Sequence, residues 1–195
     1  MNIFLLRDYF YKKLFYYLFK WFFKKIGKNV NIIKPLKING FKNIVLGNNV
    51  TVQYRTWLAA LPLTGTQCLL EIGEGTNIGH FNHIYATQHI KIGKNVLTAD
   101  KVYISDNLHS YQDIHTPIIQ QPIKQINPVE IGDGTWIGEN AVILGVKIGK
   151  NCVIGSNAVV TQDIPDYSIA VGIPAKVIKQ FDTSSNTWIK VTPKS

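Results

Sequence analysis

The 195-residue chain is predicted to be an all-β protein, a parallel β-helix preceded by one amphipathic helix. Two observations carry the β-helix: large aliphatic side chains recur every six residues over most of the chain, and an aliphatic–Gly pair recurs with them. A third carries the helix: the aromatic, lysine-rich segment 1–25 precedes the first repeat. With 17% charged and 46% hydrophobic residues, the chain lies in the globular range and is long enough for one domain with a substantial core. We divide it into the helix 1–25, a β-helix domain 26–180 and a tail 181–195.

The formal charge of +9 is unevenly placed. Residues 1–28 hold seven Lys and Arg against Asp8, a net +6, which leaves +3 for the remaining 167 residues. A nearly neutral body disfavours nucleic-acid binding. Within 3–26 the longest uncharged run is the six residues Leu14 to Phe19, far short of the roughly 20 apolar residues that cross a bilayer. At 100° per residue, Phe4, Tyr11, Phe15, Leu18, Phe19 and Phe22 share one face, with Lys13, Lys20 and Lys24 on another. Charges run through the apolar stretch and no small-x-small cleavage site follows, so a secretory signal is not expected and a cytoplasmic protein is. Two roles fit the helix: a peripheral anchor whose lysines meet anionic lipid, or a docking helix that covers the open end of a repeat fold.

From Ile26 the period is explicit. Ile26, Ile32, Ile38, Ile44 and Val50 fall six apart, as do Ile72, Ile78, Ile84 and Ile90, then Ile92, Thr98 and Ile104, then Ile131, Ile137 and Ile143, and then Ile148, Ile154 and Val160. Nine aliphatic–Gly pairs followed by a polar residue accompany them, from Ile26-Gly27 to Ile154-Gly155. One inward side chain per six residues suits a chain that runs straight for about four residues and turns in two; three such edges close a triangular coil of about 18 residues. Asn and Gly at the corners tolerate positive φ, and small residues leave room for the next coil. The repeats account for about five coils, a column of roughly 25 Å at about 4.8 Å per coil. Two stretches break the period, 53–69 and 105–129, and such loops are where function concentrates. Cys68 and Cys152 show no Cys-x-x-Cys or zinc-finger spacing, which excludes a disulfide scaffold and a structural zinc site.

The repeats, and the run EIGDGTWIGENAVILGVKIGKNCVIGSNAVVTQDIPDYSIAVGIPAKVI from Glu130 to Ile178, resemble the hexapeptide-repeat acyltransferases over about residues 26–180. The run is similar to the C-terminal signature of the sugar and polysaccharide O-acetyltransferases of the maltose and galactoside acetyltransferase type. The resemblance implies a left-handed helix, against the usual crossover rule, and a homotrimer. It also implies acetyl-CoA as donor, a saccharide hydroxyl as acceptor and no metal. A bacterial surface polysaccharide is the expected product.

The second loop, SDNLHSYQDIHTPIIQQPIKQINPV, resembles the Asp-x-x-His-x-Tyr loop of those enzymes, in which the histidine is the catalytic base; on that match the base is His109. Taking a hydroxyl proton near neutral pH suits an imidazole, and a backbone N–H at a corner can hold the developing oxyanion. No covalent intermediate is needed, so both cysteines can be structural. The same match makes Asp106 a residue that orients His109 or touches the acceptor. Asn82 and Tyr111 are acceptor-binding candidates, with Trp57 and Arg55 as further lining. The C-terminal coils are expected to bind coenzyme A through Ser156 and Thr161, with Lys176 and Lys179 on its phosphates; Gln162 departs from the lysine often found there. Ile143 and Ile148 are five apart, a shortened turn that a corner can absorb.

Alternatives stay open. His80, His83 and His89 invite comparison with the γ-class carbonic anhydrases, but His83 follows His80 by three rather than by the wider spacing of that zinc site. N-acetylation of an amino-sugar nucleotide, acetylation of another small molecule, and a non-catalytic scaffold remain.

Overall fold

The computed structural model describes residues 3–191, with side chains from Phe10 onward; Phe4 of the helical-wheel face lies outside the described side chains. Three parallel sheets form the faces of a triangular prism. The first stacks Lys25–Ile26, Ile44–Leu46, Leu69–Ile72, His89–Ile92, Val129–Ile131 and Lys147–Ile148. The second stacks Asn31–Ile32, Thr51–Val52, Asn77–Ile78, Leu97–Thr98, Trp136–Ile137, Val153–Ile154 and Ser168–Gly172. The third stacks Lys37–Asn39, Trp57–Ala60, His83–Ala86, Tyr103–Ser105, Val142–Leu144 and Val159–Val160.

The six-residue period is the inward column. Leu46, Ile72, Ile92, Ile131 and Ile148 are at most 2% exposed on the first face, and Ile84, Ile104, Ile143 and Val160 at most 1% on the third. Thr98 interrupts the second column without an unpaired group, because its Oγ1 accepts from Gly79 N at 2.9 Å and Asn82 Nδ2 at 3.2 Å. The Gly that follows each aliphatic residue lies against the next coil: a Cβ on Gly79 would come 2.3 Å from Ala99 O, and one on Gly47 2.5 Å from Glu74 N.

Three expectations are corrected. The described residues build six coils, not five, because Trp57–Ala60, inside the expected break 53–69, is a regular strand and only residues 61–68 leave the prism. The coils are also not uniformly 18 residues. Ile26 pairs with Leu46 and Ile72 with Ile92, steps of 20, whereas Ile131 pairs with Ile148, a step of 17. The first two edges keep their six-residue spacing throughout, so the third corner absorbs every irregularity: both loops and the short Ile143–Ile148 turn. There Gly145 (φ +56°) lets the returning loop pass, since a Cβ would meet Ile126 at 2.7 Å.

Corner chemistry is the third correction. At the first corner Asn29, Asn49, Gly75, Asn95, Gly134 and Asn151 hold positive φ, as expected. At the second, Asn140 and Asn157 do so as expected, but so do Lys34, Arg55, Phe81 and Lys101. The left-handed region costs such residues about 1–2 kcal/mol. Coil-to-coil hydrogen bonds offset it, Arg55 N to Lys34 O at 3.1 Å, Phe81 N to Tyr54 O at 3.0 Å and Lys101 N to His80 O at 2.8 Å.

The α-helix, Ile3–Phe19, continues into one 3-10 turn, Lys20–Phe22, and lies on the first coil. Phe15 and Phe23 are buried, Phe23 meets Phe41 edge-on at 4.9 Å, and the Tyr16 hydroxyl donates to Gly27 O at 3.2 Å. At the other end the expected tail is part of a sheet. Ala175–Asp182 pairs antiparallel with Ser168–Gly172, and Thr187–Lys190 pairs with it in turn. Asp182 accepts from Ser184 and Ser185 at that turn, and these bonds hold its carboxyl down at about 2.

Candidate active site

The loop 105–129 leaves the third corner as a two-stranded antiparallel hairpin, Asn107–His109 with Ile123–Gln125, His109 opposite Ile123. Its base is tied to the coil below. Asp106 is fully buried, its Oδ1 accepting from Thr87 N at 2.8 Å and its Oδ2 from Gln88 N and His89 N at 2.8 Å each. The Thr87 hydroxyl and Asn107 Nδ2 also reach Oδ1, both at 3.0 Å. Gln125 closes the hairpin on the same corner, its Nε2 donating to Asp106 O at 2.6 Å and its Oε1, 2.9 Å from the Thr87 hydroxyl, sharing that group's single proton with Asp106 Oδ1. Thr64, on the shorter loop 61–68, also donates to Gln125 Oε1. Both loops therefore leave one edge of the prism and touch through Gln125, a residue that sequence reading passed over because a Gln in a loop carries no motif.

His109 is exposed on this hairpin, and among the described residues its ring makes no hydrogen bond or ion pair. Tyr111, two residues on, is 63% exposed. The roles expected of Asp106 and Asn82 need correction. Asp106 does not touch the His109 ring and is sealed from solvent; it holds the base of the hairpin that carries His109. Asn82 is buried at the second corner, where its Nδ2 donates to Ala99 O at 3.0 Å and its Oδ1 accepts from Val102 N at 2.7 Å. Neither exposes an atom to an acceptor in this chain.

Trp57 and Arg55 belong to the third face and the second corner. The Trp57 ring stacks on His83 at 4.2 Å and 7°, and its Nε1 donates to Asn39 Oδ1 at 2.9 Å. Arg55 Nε donates to the Tyr54 hydroxyl at 3.0 Å. The histidines do not converge. His80 Nδ1 lies 3.0 Å from Asp100 Oδ1, and His89 Nε2 lies 3.0 Å from Glu71 Oε1. His83 Nε2 is buried without a partner, and burial lowers its pKa from 6.5. His115 sits in the loop near Asp113, which accepts from its backbone N–H at 2.9 Å. Bonds from the Thr116 hydroxyl and the His115 N–H lower the Asp113 carboxyl. Among the described residues no group of three His, Cys, Asp or Glu is placed to share a metal.

Both cysteines are packing residues. Burial, helped by the nearby Asp106, pushes the Cys68 thiol up to about 12, and burial likewise raises Cys152. Below the hairpin, Asn43, Thr66, Gln67, Gln88 and Lys24 line a cleft of about 760 Å³ between loop 61–68 and the corner at 88–89.

At the C-terminal end, Ser156 and Thr161 are exposed on the second and third corners. Lys176 and Lys179 are three apart, which on a regular strand places them on opposite faces. A bulge intervenes: Lys176 pairs with Val171 but Lys179 with Ile169, so both lysines share the outer face, and Lys190, opposite Lys179, joins them. Lys190 was assigned to a tail, and only the strand pairing reveals it.

This architecture, three parallel sheets around one aliphatic column with two loops on one edge, defines a class of protein, the parallel β-helices. Residues 128–162 match the family model described as the hexapeptide repeat of succinyl-transferase. A putative lipopolysaccharide biosynthesis O-acetyl transferase of Escherichia coli, WbbJ, is 30% identical over 171 residues, spanning 84% of this chain and 85% of that protein. The chain belongs to the hexapeptide-repeat acetyltransferase family, whose helix is left-handed. A probable acetyltransferase of Mycobacterium tuberculosis, Rv3034c, is 50% identical over 111 residues, 56% of this chain but 37% of that protein, so the chain spans well under half of that relative. Among solved structures, AntD, an N-acyltransferase from Bacillus cereus, superposes with a TM-score of 0.72 over 87% of this chain and 89% of its own, at 22% identity, which speaks for the fold.

Proposed function

We propose that the protein is an acetyl-CoA-dependent O-acetyltransferase acting on a saccharide hydroxyl in the assembly of a surface polysaccharide, working as a cytoplasmic homotrimer. The observation that carries the reading is the built hairpin. A buried carboxyl and Gln125 fix its base to the prism, and at the end of its first strand it exposes an imidazole that makes no hydrogen bond or ion pair among the described residues. A general base needs a ring nitrogen within reach of the hydroxyl it deprotonates, and an exposed imidazole can offer one. The relative WbbJ, named for lipopolysaccharide O-acetylation, supports the acceptor class.

Acetyl-CoA supplies the acetyl group as a thioester. In this reading the outer-face lysines Lys176, Lys179 and Lys190 bind its phosphates, and Ser156 and Thr161 meet its pantetheine end. His109 takes the proton of the acceptor hydroxyl as the oxygen bonds to the thioester carbon, an N–H of a coil corner holds the carbonyl oxygen, and the carbon–sulfur bond breaks. The proton passes to the departing sulfur. Ser156 and the three lysines lie off the third corner that carries His109 and Thr161, so in this reading the complete site is formed between neighbouring subunits, with the saccharide along the edge shared by the hairpin and the cleft.

Thiol release from acetyl-CoA, assayed against a panel of oligosaccharides, tests this. His109→Ala is expected to lower turnover by about 10² or more at unchanged melting temperature. Unchanged turnover refutes His109 as base.

A further inference from the structure

The structure gives the N-terminal helix two apolar faces rather than one. Tyr11, Phe15 and Phe19 turn toward the prism, where Phe15 and Phe19 stack at 4.6 Å and Phe19 meets Phe41 at 6.3 Å. The opposite side carries Phe10, Leu14, Tyr17 and Trp21, spaced i, i+4, i+7 and i+11, and these are 63%, 60%, 62% and 82% exposed. Leu18, 56% exposed, extends the patch beyond that stripe, whereas Phe22 leans on Phe19 and Phe41 on the prism side. A prism gains nothing by holding five large apolar side chains in water, and a continuous patch of this kind marks a surface that is normally covered.

The charge around the patch says what covers it. Lys13 and Lys20, seven apart, border the stripe on one side, and Lys24, Lys25 and Lys28 continue outward from it, all exposed except the half-buried Lys20. Lys20 Nζ lies 4.7 Å from the Trp21 ring centroid and 5.5 Å from that of Tyr17, so positive charge and aromatic surface are interleaved. Segment 1–28 holds +6 of the chain's +9. We propose that this face docks on an anionic phospholipid bilayer, with the helix in the plane of the interface. Trp and Tyr settle at the headgroup level, Leu and Phe enter the acyl boundary, and the lysines meet lipid phosphates. At about 1.5 Å per residue the 17 residues of Ile3–Phe19 extend roughly 25 Å, and among the described residues no helix is long and apolar enough to cross. A second copy of the same face is a poor partner, because pairing would bring the two sets of lysines together.

The helix therefore does both things considered for it: one face covers the first coil and the other meets lipid. The inference does not rest on acetyl transfer, and its test does not read activity. Co-sedimentation of the full chain with phosphatidylcholine vesicles, with and without phosphatidylglycerol, is expected to show binding that needs the anionic lipid and weakens as salt rises. A basic residue near such a surface contributes about fivefold in binding, so Lys13→Gln/Lys20→Gln is expected to lose on the order of 30-fold. Leu14→Ser/Trp21→Ser, at positions already in solvent, is expected to abolish binding at unchanged melting temperature. Three results overturn the proposal: no binding to anionic vesicles, full binding by Leu14→Ser/Trp21→Ser, or a fall in its oligomeric mass by light scattering, which assigns the stripe to a subunit contact.

Discussion

Asp106→Asn isolates what the buried carboxyl does. The amide keeps its volume but turns one acceptor oxygen into an NH₂, which must face either the Gln88 and His89 N–H groups or the three donors on Oδ1. At least two donors then lose their acceptor. At about 1–3 kcal/mol for each donor left unsatisfied, the variant loses about 2–6 kcal/mol. For a domain of this size that is a fall in Tm of roughly 5–20 °C, readable by differential scanning fluorimetry. His109 is three residues from the anchor, and a displacement of about 1 Å at a catalytic group costs on the order of 10² in rate. Thiol release should therefore drop by about that factor at a temperature where both proteins are folded. A variant that melts with wild type refutes the anchor, and one that melts lower yet turns over normally refutes the link between anchor and base.

Lys176→Ala/Lys179→Ala/Lys190→Ala should raise KM for acetyl-CoA by roughly 10–100-fold while kcat stays near wild type, and the defect should shrink at high salt, where wild type also weakens; an unchanged KM refutes the lysine face. His83 titrates below its ordinary 6.5 because its ring is buried against Trp57. The unfolded chain thus binds its proton first, so stability is fully present above 6.5 and falls as pH drops from there toward the folded value. Urea melts of His83→Phe should show a smaller loss between neutral and mildly acidic pH than wild type does, and equal losses refute the assignment. Gly79→Ala places a Cβ 2.3 Å from Ala99 O, so it should cost about 1–3 kcal/mol as an overpacking substitution in denaturant melts, more than an alanine elsewhere on the same coil.

The prism was legible because its sequence is locally redundant. An inward aliphatic every six residues, an Asn or Gly at the first corner and a Gly under the next coil each state the same geometry, and one chain repeats the statement from Ile26 to Val160. The candidate site was only half legible. The Asp-x-x-His-x-Tyr loop named His109, but the same motif read Asp106 as a partner of its ring, because spacing along a chain does not say which way a side chain turns. Asn82 failed for the same reason: its amide is spent on Ala99 and Val102, 17 and 20 residues away in sequence and one coil away in space.

By itself, then, the sequence determined the coil, the departure at 105–129 and the basic helix at its start, since each depends on residues within one or two periods of one another. Only the tertiary structure decided that both loops leave the same edge and meet at Gln125, that a bulge gathers Lys176 and Lys179 beside Lys190, and that the helix is two-faced. Those outcomes depend on the register between coils about 20 residues apart, where small differences in corner length add up and no local pattern records the sum.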